Sequence, residues 1–108
     1  MEINYIDVQK ELIPYKFRIQ LYNRTFEFEI QYNAEHDYFT VNIYRNDELI
    51  VAGEKLLYGK PLFENILYLD IPRVLIVPFD LAENHDRITY DNFNKDVFLY
   101  LVRDYNEL

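Results

Sequence analysis

The 108-residue sequence contains no cysteine, no tryptophan and no serine, and only 2 glycines. Without cysteine there is no disulfide, no thiolate zinc ligand and no thiol nucleophile, and an oxidising or a reducing compartment suits the chain equally. Without serine, and with threonine only at Thr25, Thr40 and Thr89, the usual hydroxyl nucleophiles are nearly missing. Glycines only at Gly53 and Gly59 cannot build a phosphate-cradling loop. Positive charge is scarce too: 11 Lys+Arg stand against 19 Asp+Glu, a net charge of −8. That balance argues against a nucleic-acid partner, whose phosphates call for a basic face, and against docking on an anionic membrane. The longest apolar run, Val74 to Phe79, is far short of the roughly 18 residues a spanning helix needs. Met1 to Val8 lacks the basic segment of a secretory leader, so none is expected.

What is present is apolar, aromatic and alternating. Half of the residues are hydrophobic and 18% are aromatic, a composition that folds rather than staying disordered. The length fits a single β domain over residues 1–108, which would bury roughly 65% of its unfolded surface. From Tyr15 to Leu21, Phe17, Ile19 and Leu21 alternate with Lys16, Arg18 and Gln20. From Thr25 to Tyr32, Phe26, Phe28, Ile30 and Tyr32 alternate with Glu27, Glu29 and Gln31. A period of two with one polar face marks a half-buried antiparallel strand. The short link Tyr22-Asn23-Arg24 predicts a hairpin, with Lys16 and Arg18 facing Glu27 and Glu29 on its polar side. Such cross-strand pairs contribute ~0.2–1 kcal/mol each.

A polar turn, Asn33 to Asp37, precedes a third strand over Tyr38–Arg45, and Asn46-Asp47 turns the chain into a fourth over Glu48–Ala52. Gly53 is expected to end that strand, with a further short strand over Glu54–Tyr58. Pro61 suits the first turn of a short helical segment over Leu62–Leu67. Val74 to Phe79 reads as a buried strand, and Pro78 within it marks a sheet edge or a strand end. The polar stretch Asp80 to Asn94 reads as a loop with a short strand at Arg87–Tyr90. In the last strand, Asp96–Arg103, Val97, Leu99 and Leu101 share one face and Phe98, Tyr100 and Val102 the other. Two apolar faces mean a central strand, or one whose second face meets another molecule. The N-terminal residues 1–13 are too apolar for a free tail and suit an arm or an edge strand, here or on a neighbour. The expected fold is all-β: a small antiparallel sandwich or barrel of six to eight short strands with one short helical turn.

Chemistry-bearing patterns are sparse. His36 lies between Glu35 and Asp37, and His85 between Asn84 and Asp86. Neither shows metal-ligand spacing, and solvated polar loops account for both more simply than a small metal-dependent hydrolase does. Asp80, Glu83, Asp86 and Asp91 share a loop that lacks the glycine of a calcium site. Glu27 and Glu29 point the same way from one strand, so they cannot flank a glycosidic bond. The sequence therefore predicts neither an enzyme nor a cofactor. The aromatic surplus is more telling, since 11 of the 19 aromatic residues are tyrosine. Tyr38, Tyr44, Phe98 and Tyr100 fall on faces opposite the core residues of their strands and are the candidate interface residues. Tyrosine also simply fits strands, so both explanations stand. A soluble β module binding a glycan or a peptide is the alternative.

One resemblance orders these pieces. Pro14-Tyr15-Lys16-Phe17, Phe26-Glu27-Phe28-Glu29-Ile30-Gln31-Tyr32-Asn33, Gly53 followed by Leu56-Leu57 and Gly59, Leu69 and Ile71-Pro72, and Tyr90-Asp91-Asn92-Phe93 before Leu99-Tyr100 occur in that sequence. Over residues 14–102 the chain resembles the phage baseplate plug family of contractile tails. Arg73 stands where family members often carry glycine. The resemblance implies a structural virion protein at the tail axis, with no catalytic residue to carry over. Its partners would be other baseplate or hub and spike proteins, or further copies of itself. Its place would be the virion, and the host cytoplasm during assembly. The acidic loop would then repel passing DNA.

Overall fold

The computed structural model describes residues 4–21, 24–64 and 74–102. Among these described residues seven strands form two antiparallel sheets. They are β1 (Asn4–Ile6), β2 (Tyr15–Leu21), β3 (Arg24–Asn33), β4 (Tyr38–Arg45), β5 (Glu48–Lys55), β6 (Leu75–Phe79) and β7 (Phe98–Val102). The four-stranded sheet has the order β2-β3-β4-β5 and the three-stranded sheet β1-β7-β6. Neither closes on itself, so the architecture is a sandwich rather than a barrel.

Alternation decides which side chains meet between the sheets. Phe26, Phe28 and Ile30 of β3 and Phe39, Val41 and Ile43 of β4 are buried, as are Ile6, Ile76 and Leu99 of the other sheet. They share one core with Val8, Leu56, Leu62, Phe63, Ile88, Phe93 and Val97, which close the ends of the sandwich. The β2–β3 register sets Lys16 opposite Glu29 and Arg18 opposite Glu27, as the sequence predicts. Asn46 and Asp47 both have positive φ, 53° and 65°, the conformation of a two-residue turn whose twist matches that of its strands.

Four expectations are corrected. Gly53 does not end the fourth strand; it lies within β5 at φ +72°. Val41 pairs with Glu54 and Ile43 with Val51, so Ala52 and Gly53 together oppose Asn42 in a β-bulge. The Asn42 side-chain carbonyl accepts the Gly53 N–H at 2.7 Å, taking the place of the lost ladder bond. Leu56, Leu57 and Tyr58 consequently lie outside any strand. The helical turn is found at Lys10–Leu12, whereas Leu62–Glu64 are turns and residues 65–67 lie outside the described residues. Arg87–Tyr90 is not a strand, because side chains take its backbone donors. The Thr89 N–H goes to Asn92 Oδ1 (2.8 Å) and the Tyr90 N–H to Asp37 Oδ1 (2.9 Å). The link at Tyr22-Asn23 and the stretch Leu69 to Arg73 also lie outside the described residues.

Pro78 occupies a position that suits an imide. β6 is a sheet edge, and its outward carbonyls at Ile76 and Pro78 accept N–H groups from Leu62 (2.9 Å) and Gly59 (2.7 Å). Among the described residues no helix is long and apolar enough to cross a membrane.

Asp37 ties three segments together. With φ 54° it closes the β3–β4 turn, accepts the Tyr32 hydroxyl at 2.7 Å and the Tyr90 N–H, and faces Arg87 at 3.5 Å. The Tyr32 hydroxyl first, then the Tyr90 N–H, hold its carboxyl below the ordinary carboxylate range. A lowered pKa contributes stability that is present above the unfolded value of about 4 and lost as the pH falls through the folded one. Asp37→Asn, which keeps the turn conformation, should flatten the acid side of the stability profile, read from urea midpoints between neutrality and about pH 2. A profile that keeps the wild-type slope would remove the charge from this account. Phe39→Ala, deleting a fully buried ring 4.4 Å from Phe93, should cost about 3–5 kcal/mol in urea unfolding.

Candidate protein-protein interface

The sandwich has two outward faces of different chemistry. On the four-stranded sheet the outer side chains are mostly polar and occupied by one another, with Leu49 exposed opposite Tyr44. The Tyr44 hydroxyl donates to Glu29 at 3.1 Å, Asn42 donates to the same carboxylate at 2.9 Å, and the Lys16 ammonium sits 3.8 Å above the Tyr44 ring. The Glu29 bond, more than burial, raises the Tyr44 pKa. Tyr38 lies beneath Lys55, 4.3 Å from the ring centre, and its hydroxyl accepts from Asn33. Cation–π contacts of this kind contribute ~0.5–1 kcal/mol where exposed.

The outer face of the three-stranded sheet is apolar throughout. Leu75, Val77 and Phe79 of β6 lie beside Val102, Tyr100 and Phe98 of β7, row by row. They form a second apolar cluster, separate from the main core. β1 adds Tyr5 opposite Tyr100, with its ring 4.6 Å from Phe98 and 6.1 Å from Tyr100. At the other end Tyr58 stacks on Phe79 at 5.4 Å, and its hydroxyl accepts the Asp80 N–H. Tyr5 is 47% exposed and Phe98, Phe79 and Leu75 are half-buried, whereas Val77, Tyr100 and Val102 at the middle and far end of the face are buried. Burial, with the nearby Asp80 carboxylate second, pushes the Tyr100 pKa up.

The four residues singled out in the sequence therefore divide between opposite sides of the sandwich. Tyr38 and Tyr44 brace the polar face, and Phe98 and Tyr100 belong to the apolar one. Tyr5, Tyr58 and Phe79 join Phe98 there, although sequence reasoning missed them. The available signal was the absence of alternation: Val74 to Phe79 and Val97 to Val102 are apolar on both faces. β7 is indeed central, between β1 and β6, yet its second face does not point into the main core.

The remaining polar groups stay apart. His36 is exposed beside Glu35 at 3.8 Å, and His85 meets Asp96 at 3.1 Å on another loop. Among the described residues no group of three or more His, Asp or Glu comes together. Asp80 does not add charge to the surface of the acidic loop. It is buried, and its carboxylate accepts the N–H groups of Ala82 and Asn84, both at 3.0 Å.

No curated protein matches this chain. A family model described as the cyanophage baseplate Pam3 plug gp18 matches residues 3–104, a span that takes in both sheets and the loops between them. The chain belongs to this family of cyanophage baseplate plug proteins.

Proposed function

We propose that the chain is a structural part of the virion, a plug that seals the tail baseplate or completes its assembly around the tail axis. It acts through protein–protein contacts with other baseplate proteins, the hub or spike among them. It works as a single β domain over residues 1–108, in the virion and, during assembly, in the host cytoplasm. The observation that carries this reading is the family match over residues 3–104. The apolar outer face of the three-stranded sheet supports it, since aromatic side chains with partial exposure are the usual anchors of such contacts. In this arrangement Tyr5, Phe79 and Phe98 touch the neighbour. Tyr100 is the floor beneath them, and Tyr38 and Tyr44 hold the opposite face.

Truncating an anchor at the centre of an interface costs about 2 kcal/mol or more, roughly a thirtyfold loss of affinity. Tyr5→Ala and Phe98→Ala should accordingly enter purified particles poorly, while their circular dichroism stays that of the parent. Quantitative mass spectrometry of particles carrying each variant checks this. A chain absent from intact particles would overturn the virion assignment. Full incorporation of both variants would overturn the role of the aromatic face.

A further inference from the structure

A sandwich of two open sheets has four edges, and three of these are blunted. The edge at β6 has its carbonyls capped by the N–H groups of Gly59 and Leu62. The edge at β5 is broken by the bulge at Ala52-Gly53, and Glu54 beside it accepts the Phe63 N–H at 2.7 Å. The edge at β1 is 3 residues long among the described residues. These are the devices by which sheet edges avoid pairing with strange chains. β2 has none of these three: its only guard is the charge of Lys16 and Arg18, and it runs 7 residues from Tyr15 to Leu21 in unbroken register, with no proline and no bulge. Among the described residues no other main chain bonds to its outer side, and the Gln9 N–H reaches only the Tyr15 hydroxyl, at 2.8 Å.

The side chains of β2 also look unfinished on the inner face. Tyr15, Phe17 and Ile19 are only half-buried, whereas the equivalent residues of β3 and β4 are fully enclosed. On the outer face Lys16, Arg18 and Gln20 are exposed. β3 shows what pairs with this strand. It sets Glu29 and Glu27 opposite Lys16 and Arg18, and Ile30, Phe28 and Phe26 opposite Tyr15, Phe17 and Ile19. A second strand of that pattern would meet the same cations and cover the same rings from the other side.

We propose that the free edge of β2 takes an extended segment of a partner protein in which acidic and apolar residues alternate. The acidic side chains meet Lys16 and Arg18, and the apolar ones cover Tyr15, Phe17 and Ile19. Main-chain bonds supply the affinity and the alternate side chains the selectivity. A second copy of the chain is the wrong occupant. β2 against its own counterpart would set Lys16 and Arg18 among like charges, which destabilises the pairing. This contact deepens the role proposed above by naming a further kind of partner. It is tested on the isolated full chain, so its failure leaves the virion assignment standing.

The probe is a synthetic peptide with the sequence of Arg24 to Tyr32, compared with one carrying Glu27→Lys and Glu29→Lys. Amide hydrogen exchange of Tyr15–Leu21 is followed by NMR with each peptide at millimolar concentration. The acidic peptide should slow exchange of the β2 amides that face away from β3 by about tenfold. The lysine peptide should leave them unchanged, and in the chain with Lys16→Gln and Arg18→Gln the two peptides should act alike. If that chain does not fold, the comparison on the unaltered chain decides. Protection by neither peptide, or by both equally, overturns the proposal. So does protection that rises with protein concentration alone, which would give the edge to a second copy.

Discussion

The contact between the rings of β3 and β4 and the far side of the sandwich is the constraint on which everything else depends. Phe26, Phe28 and Phe39 are enclosed between the sheets, and Phe39 lies 4.4 Å from Phe93 in the loop that leads to β7. Once these rings are inside, the pleat sends Lys16, Arg18, Glu27, Glu29 and Tyr44 outward with no further choice. The same contact draws the 80–97 loop against the β3–β4 turn. There the buried Asn92 side chain receives the Thr89 N–H and donates to the Arg87 carbonyl. The loop is long and polar, yet it is held by side-chain bonds in place of a ladder.

Where one face is wet and the other dry, the sequence announces the strand. β2, β3 and β4 are legible residue by residue, and so is the turn at Asn46-Asp47, whose side chains tolerate positive φ. Legibility fails where a backbone group finds its partner far along the chain. Nothing near Gly53 reveals that Asn42 will bond its N–H, and so the glycine reads as a stop when it is a bulge. Likewise Asp37 takes the Tyr90 N–H across 53 positions, which turns an apparent strand into a turn. Pro61 supplies a helix-start signal, yet the residues described after it, Leu62–Glu64, form turns.

The candidate interface follows the same rule in reverse. Tyr38 and Tyr44 look spare on the page because their partners, Lys55 on the adjacent β5 and Lys16 two strands away on β2, stand elsewhere in the sheet. Phe98 was visible because its strand lacks a polar face. Tyr5 was not, because its place beside Phe98 depends on β1 joining β7, a pairing between the two ends of the sequence. Composition shows an excess of rings, and only the sheet order shows on which side it collects.

That pairing of β1 with β7 has a mechanical side. Asn4 stands opposite Leu101 and Ile6 opposite Leu99, so the chain enters β1 and leaves β7 at the same corner of the sheet. Antiparallel bonds lie across the strands. Tension between the outer ends of these two strands would load the rungs singly, opening them like a zipper rather than sliding them as a block. Force directed along β3 and β4, which share seven consecutive rungs, meets all of them at once. The molecule is thus soft to a pull at one corner and stiff along its broad sheet.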